Sequence, residues 1–361
     1  MNSARARNSS NSIFTFYTKA EYDAELAAQI DRTKRGDRVA VATMFFKADE
    51  QPIRRVLDAL CAAARRGVSV DFMVDVLSDG AELWPVGFAR LIPQRAPLPK
   101  AFRPQLEALE RLKQHGGRYT IINQPRESFT NPFLGHSHIK FSVINNHVFV
   151  GGCNLTTIEP LDIMTSWEDS QIADWLCAFS YNLSKSGSVL KAMEGKDATL
   201  PVSSTTTLLV DAGKASQSLI LDKALALIDA ARDYILITCQ FFPHGKTGRH
   251  LARAEARGVK VKIIYNHPSK HGFPVSWGQR GVLWKERQSK PRHLFGQQLP
   301  KDHDFLHAKL LVTEEGTMLG SHNYVHTSVR LGTAEIALLS FDQHFRKGAV
   351  LTLESQLRLG G

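Results

Sequence analysis

Cysteine is scarce: Cys61, Cys153, Cys177 and Cys239 are the only four in 361 residues, and no two stand in a C-x-x-C spacing. That argues against a disulfide-stapled scaffold and a cysteine zinc site. Thiols set among apolar neighbours read as reduced core residues of a cytosolic protein. Long apolar runs are missing too. None reaches the roughly 18 residues that span a bilayer, and no signal-type apolar segment follows the start. The opening MNSARARNSSNS has no acidic residue, the first being Glu21. A transit peptide has such a composition, but a helical pattern starts within about ten residues of it. A short flexible tail over residues 1–18 is therefore expected. No Asp/Glu cluster with metal-ligand spacing is present, so no metal and no other cofactor is expected.

What is there is the composition of a folded globular chain: 43% hydrophobic and 22% charged residues. Lys and Arg number 45 against 35 Asp and Glu, a formal net charge of +10. Such a surplus favours polyanions, whether nucleic acid, phosphorylated substrates or an anionic membrane face.

The chain is written twice. Residues 37–46 read as a buried strand, Ile53, Val56, Leu57 and Leu60 as one helix face, and residues 68–76 as a second strand. In the second half Ile220, Leu221, Ala224, Leu225 and Ile228 form a helix face. A strand over 233–242, a helix and a strand over 259–266 follow in the same order. Both halves place R-G-V at the turn from helix to strand, as Arg66-Gly67-Val68 and Arg257-Gly258-Val259. Strand–helix–strand order predicts parallel pairs with crossover helices, and the repetition predicts an internal duplication. Lobe 1 is expected over 19–183 and lobe 2 over 216–361, with the Ser/Thr/Gly/Lys-rich stretch 184–215 as connector.

The repeated motif carries the chemistry. GHSHIKFSVINNHVFVGGCNL and LHAKLLVTEEGTMLGSHNY each set H-x-K before an apolar run and close a second run on G-[G/S]-x-N. The interval from His138 to Asn154 is identical to that from His307 to Asn323. Strand alternation puts His138, Lys140 and Ser142 on one face, and His307 and Lys309 on another, with Ala308, Leu310 and Val312 facing the core. Each half thus offers an imidazole beside an ammonium, and glycine lets the returning strand come close.

If the halves face each other, two His, two Lys and two Asn converge. One neutral histidine can attack phosphorus to give a phosphohistidine, while the other gives its proton to the leaving oxygen. Two lysines and two amides can hold the non-bridging oxygens. Each imidazole needs a partner that fixes its tautomer. Asp169, downstream of His138, and Glu335, at a closely similar interval downstream of His307, are the candidates. His136, His147 and His322 read as supporting or loop residues.

The doubled pattern resembles the phospholipase D superfamily, whose signature is H-x-K-x4-D followed by G-[GS]-x-N, twice per active site. The second half and the W-x-D of Trp167–Asp169 look like the bacterial cardiolipin synthase and phosphatidyltransferase branch. The resemblance implies an α/β fold of two similar α/β/α lobes, with mixed, mostly parallel sheets about a pseudo-twofold axis. It makes His138 the nucleophile and His307 the general acid, with Lys140, Lys309, Asn154 and Asn323 on phosphate. The third motif position departs from aspartate, being Asn145 in the first copy and Glu314 in the second.

A phosphatidyltransferase or phospholipase acting on glycerophospholipids at an anionic membrane surface is the first expectation, cytoplasmic and peripheral to the inner face. A nuclease of the same superfamily, or a binding protein weakened in catalysis by Asn145 and Glu314, remain alternatives. The aromatic and basic segments 84–102 and 268–304 are candidate substrate rims, for lipid or for nucleic acid.

Overall fold

The repeated sequence becomes two sheets of matching order. The computed structural model describes residues 13–75, 103–122, 135–271, 275–289 and 296–359, so the candidate rim 84–102 lies outside the described residues. The first sheet runs β1 (Thr15–Thr18), β7 (Ile163–Glu168), β6 (His147–Gly151), β5 (Phe141–Ile144), β2 (Arg38–Thr43), β3 (Ser69–Asp75), β4 (Arg118–Ile122). The second runs β12 (Gln297–Gln298), β11 (Lys260–Tyr265), β10 (Tyr234–Cys239), β13 (Lys309–Thr313), β14 (Thr317–Gly320), β15 (Glu335–Ser340), β9 (Thr206–Asp211), β8 (Ala198–Pro201).

Local chemistry explains the shared R-G-V turns. The helix Gln51–Arg65 buries Ile53, Val56, Leu57 and Leu60 at helical spacing. Gly67, at φ 85°, then turns the chain into β3. Its counterpart Gly258, at φ 92°, follows the helix Lys246–Ala256 and leads into β11. The arginine before each glycine donates to carbonyls of a neighbouring helix end, Arg66 to Ile30 O at 3.0 Å and Arg257 to Ile228 O at 3.2 Å. A cation there suits the negative end of a helix.

Strand pairing is mixed, with a correction to the expected parallel majority. Pairs β2–β3, β3–β4, β10–β11 and β11–β12 are parallel. Every other neighbouring pair of these strands, from β2–β5 through β6–β7 and from β10–β13 through β8–β9, is antiparallel. The reason is the motif itself, whose H-x-K strand returns through a short turn and so pairs antiparallel.

Two boundaries also move. Thr15–Thr18, expected within the tail, form an edge strand on β7. The expected connector 184–215 holds β8 and β9, which extend the second sheet beside β15. The sheets meet face to face across one apolar core, where Phe141, Val143, Val148 and Val150 join Leu310, Val312, Leu319, Ile336 and Leu338. Phe345, on the C-terminal helix Gln343–Leu359, packs its ring 5.0 Å from both Phe14 and Phe16, tying the chain's end to the first lobe. No described helix is long and apolar enough to cross a membrane.

Candidate active site

Each histidine stands just before a central strand, and the end of a parallel strand pins the residue ahead of it. In lobe 1 the Asp75 carboxylate accepts from Ser137 N at 2.7 Å. In lobe 2 the Asn266 side chain accepts from Leu306 N at 2.8 Å and donates to Leu306 O at 2.7 Å. Asp75 and Asn266 follow the valine of their R-G-V turns at the same interval, a regularity in the sequence that points to this pair.

The same two segments are stitched to the opposite lobe. His138 N donates to Ala334 O at 2.8 Å, and His307 N donates to Leu161 O at 2.8 Å. Those partners precede Glu335 and Asp162, so the stitching carries each carboxylate to the other lobe's histidine. Glu335 Oε2 is 2.9 Å from His138 Nδ1, and Asp162 Oδ2 is 2.6 Å from His307 Nδ1. The imidazole rings lie 6.1 Å apart, centre to centre.

Two sequence expectations are corrected here. Glu335 reaches His138 rather than the histidine of its own half. Asp169 touches neither histidine; it caps the helix Ser170–Ser186, accepting from Ile172 N at 3.0 Å. Strand register explains the miss. Gly151 pairs with Met164 and Gly320 with Ala337, which makes Asp162 and Glu335 equivalent, since each stands next but one before the glycine's partner. The stretch from Asn154 to Asp162 is shorter than that from Asn323 to Glu335, so counting along the chain overshoots.

The second motif position follows from the same geometry. A Cβ on Gly152 would collide with the Asp162 carboxylate, so glycine is required there. In lobe 2 the equivalent Ser321 hydrogen-bonds Glu335 through its Oγ. Its carbonyl accepts from His138 Nδ1 at 2.8 Å.

Lys140 donates to His138 O at 2.9 Å, and Lys309 donates to His307 O. Both are fully buried. Burial, with Lys309 close by, brings the Lys140 ammonium down to about 7, and burial lowers Lys309 as well. Two ammoniums forced together out of water are a setting that an anion relieves. Burial also lowers His138, against the Glu335 carboxylate. It pushes His307 well below its ordinary range, against Glu159. Burial raises Glu335, but the charge and hydrogen bond of His138, with His322 and Lys140 near, outweigh it and hold the carboxyl at about 2.

Asn154 is buried and donates to Glu159 Oε2 at 2.9 Å. Asn323 Oδ1 and His322 Nε2 are buried without hydrogen-bond partners among the described residues. Buried unsatisfied polar atoms beside paired cations mark a place for a polar ligand. Glu159, like Asp162, is a residue that sequence reasoning missed. Its Oε1 lies 3.2 Å from His307 Nε2, so this carboxylate bridges the far nitrogen of one histidine and the amide of Asn154. No repeat signal flags it, because the corresponding stretch of lobe 2 forms the short helix His326–Arg330.

The third motif position serves the strand ends instead. Asn145, at φ 55°, turns β5 into β6 and accepts from Arg38 N at 3.2 Å. Glu314 accepts from Tyr234 N at 3.3 Å, the equivalent strand start. His147 pairs with Glu168 at 2.7 Å in this turn region, and His136 Nδ1 lies 2.9 Å from Asp75. Among the described residues no group of three His, Cys, Asp or Glu side chains could hold a metal ion.

A family model described as "Cardiolipin synthase, PLD-like domain" matches residues 26–176 and again 224–349. The chain is similar to the crystal structure of phosphatidylserine synthase from Haemophilus influenzae Rd KW20. That match has a TM-score of 0.67 and 12% identity, over 98% of this chain and 88% of that one. It is also similar to polyphosphate kinase from Porphyromonas gingivalis, with a TM-score of 0.58 and 14% identity, over 96% of this chain and 47% of that one. Such identities speak to the fold alone. No curated protein matches the chain.

Proposed function

The chain belongs to the cardiolipin synthase PLD-like domain family, and from that premise we propose that it cleaves the phosphodiester of a glycerophospholipid and passes the phosphatidyl group to an alcohol or to water. The observation that carries this is the facing pair of imidazoles, 6.1 Å apart, each backed by a buried carboxylate from the other lobe.

The two histidines differ in a way that divides the work. A carbonyl only accepts, so Ser321 O requires a proton on His138 Nδ1 and leaves the lone pair on Nε2. That is a nucleophile ready to attack phosphorus. Burial lowers His307, but a carboxylate stands at each of its nitrogens, Asp162 and Glu159, and the charge of Glu159 opposes that lowering and stabilises the imidazolium. His138 Nε2 attacks, the bond from phosphorus to the leaving oxygen breaks, and His307 Nε2 gives its proton to that oxygen. In the second half-reaction His307 takes the proton of the incoming alcohol or water. The new oxygen–phosphorus bond forms as the His138–phosphorus bond breaks. Lys140, Lys309, Asn154 and Asn323 hold the non-bridging oxygens, where charge is spread in the transition state.

Purified protein incubated with phosphatidylglycerol vesicles should yield cardiolipin or phosphatidic acid, and enzyme quenched in neutral denaturing detergent should carry a phosphatidyl mass on His138. Absence of lipid product together with cleavage of a DNA strand would overturn the lipid assignment. The net charge of +10 suits a nucleic acid as well as an anionic membrane, which is why DNA is the control substrate.

A further inference from the structure

The helix Val275–Ser289 packs on the turn Pro268–Lys270, which follows the strand end that supports His307. Asn266, which pins Leu306, is followed closely by the turn Pro268–Lys270 and by His271. The His271 ring lies 5.5 Å from Phe305, and Phe305 lies 6.4 Å from His307. The helix therefore stands beside the site, joined to it by a short chain of contacts.

Its inner side is ordinary. Leu283 is buried in the second lobe's core and Val282 packs against it. The outer side is not, for Trp277 and Trp284 are 74% and 67% exposed. They stand on one face about two turns, or roughly 10 Å, apart along the axis. At about 100° per residue that face also carries Arg280, Gly281 and Gln288, all exposed, with exposed Lys285 at its edge. An outer helix face made of two indoles, a small residue and basic flanks differs from a solvated face, which is charged throughout.

We infer that this face docks the protein on an anionic phospholipid bilayer. Resting on the lipid-cleaving reading above, it places both tryptophans at the headgroup boundary and Arg280 among lipid phosphates. Indoles favour that boundary because one edge is apolar and the N–H stays wet. Basic residues beside them match an anionic leaflet. A second copy of a +10 chain fits less well, because like charges oppose. Single-stranded nucleic acid is bound in a basic groove, whereas these indoles stand on a convex helix.

The test floats the full chain with vesicles of phosphatidylglycerol and phosphatidylcholine, beside pure phosphatidylcholine vesicles. Turnover of a short-chain phosphatidylglycerol below its micelle concentration is followed in parallel. Wild type should bind the anionic vesicles preferentially. W277A and W284A should each weaken partitioning about tenfold, leaving turnover of the monomeric lipid unchanged. Vesicle binding that survives W277A/W284A would overturn the inference. So would a double variant that loses affinity for a single-stranded oligonucleotide and not for vesicles. If the tryptophans govern vesicle binding and no lipid is ever turned over, the docking surface stands and the catalytic reading falls.

Discussion

Replacing Glu159 by glutamine probes the asymmetry between the histidines most directly. The substitution keeps size and a hydrogen-bonding oxygen but removes the negative charge 3.2 Å from His307 Nε2. A charge-assisted hydrogen bond of this kind is worth about 1.5–3 kcal/mol, which corresponds to a change of about 1–2 units in the proton affinity of the imidazole. The sign follows from the chemistry. A carboxylate stabilises the imidazolium, and Glu159 is the strongest influence opposing the depression that burial imposes on His307. Without it His307 loses its proton at lower pH. The groups that face His307 and remain are Asp162 across the lobe boundary, Lys140, Lys309 and His138.

The assay is the pH profile of kcat/KM on a monomeric short-chain phosphatidylglycerol, where the basic limb reports the acid of the free enzyme. E159Q should move that limb down by about 1–2 units. It should also let inorganic phosphate compete more strongly, because a like charge no longer stands at Asn154 and His307. A basic limb that stays in place, with inhibition by phosphate unchanged, would refute the assignment of His307 as the acid tuned by Glu159.

Other substitutions sort support from chemistry. K140M removes an ammonium that burial brings down to about 7. It should abolish turnover while relieving the crowding of two buried ammoniums, read as a rise in the Lys309 proton affinity by titration of the variant. Glu335, held at about 2 against an ordinary 4.5, contributes stability that is complete above 4.5 and lost as pH falls towards 2. E335Q should therefore flatten the acid limb of a denaturation profile and lower turnover about 10–100-fold. D169A should cost about 1 kcal/mol through loss of a helix cap and leave the pH profile of turnover unchanged.

The duplication, the lobes and the facing His–Lys pairs were legible in the sequence because strands enforce them. A hydrogen-bonded return strand fixes the distance from H-x-K to G-x-N, so both copies keep the same interval. The carboxylates were not legible in the same way. They follow loops, and loops tolerate insertions, so Asp162 and Glu335 align by strand register while their offsets along the chain differ. Cross-lobe pairing escapes counting altogether, since it is set by the bridges from Ser137 to Ala334 and from Leu161 to Leu306.

Glu159 was invisible for a deeper reason. A duplicated chain tends to build a symmetric site, and a symmetric site gives its two histidines the same protonation. Phosphoryl transfer through one nucleophile and one acid needs them to differ. In this chain the symmetric parts are paired one for one: Asp75 with Asn266, Lys140 with Lys309, Asp162 with Glu335. What separates the histidines sits in the loop after Asn154, which in the second lobe is replaced by a short helix. A search for repeats finds what the copies share, whereas the division of labour proposed for His138 and His307 rests on a side chain that one copy lacks.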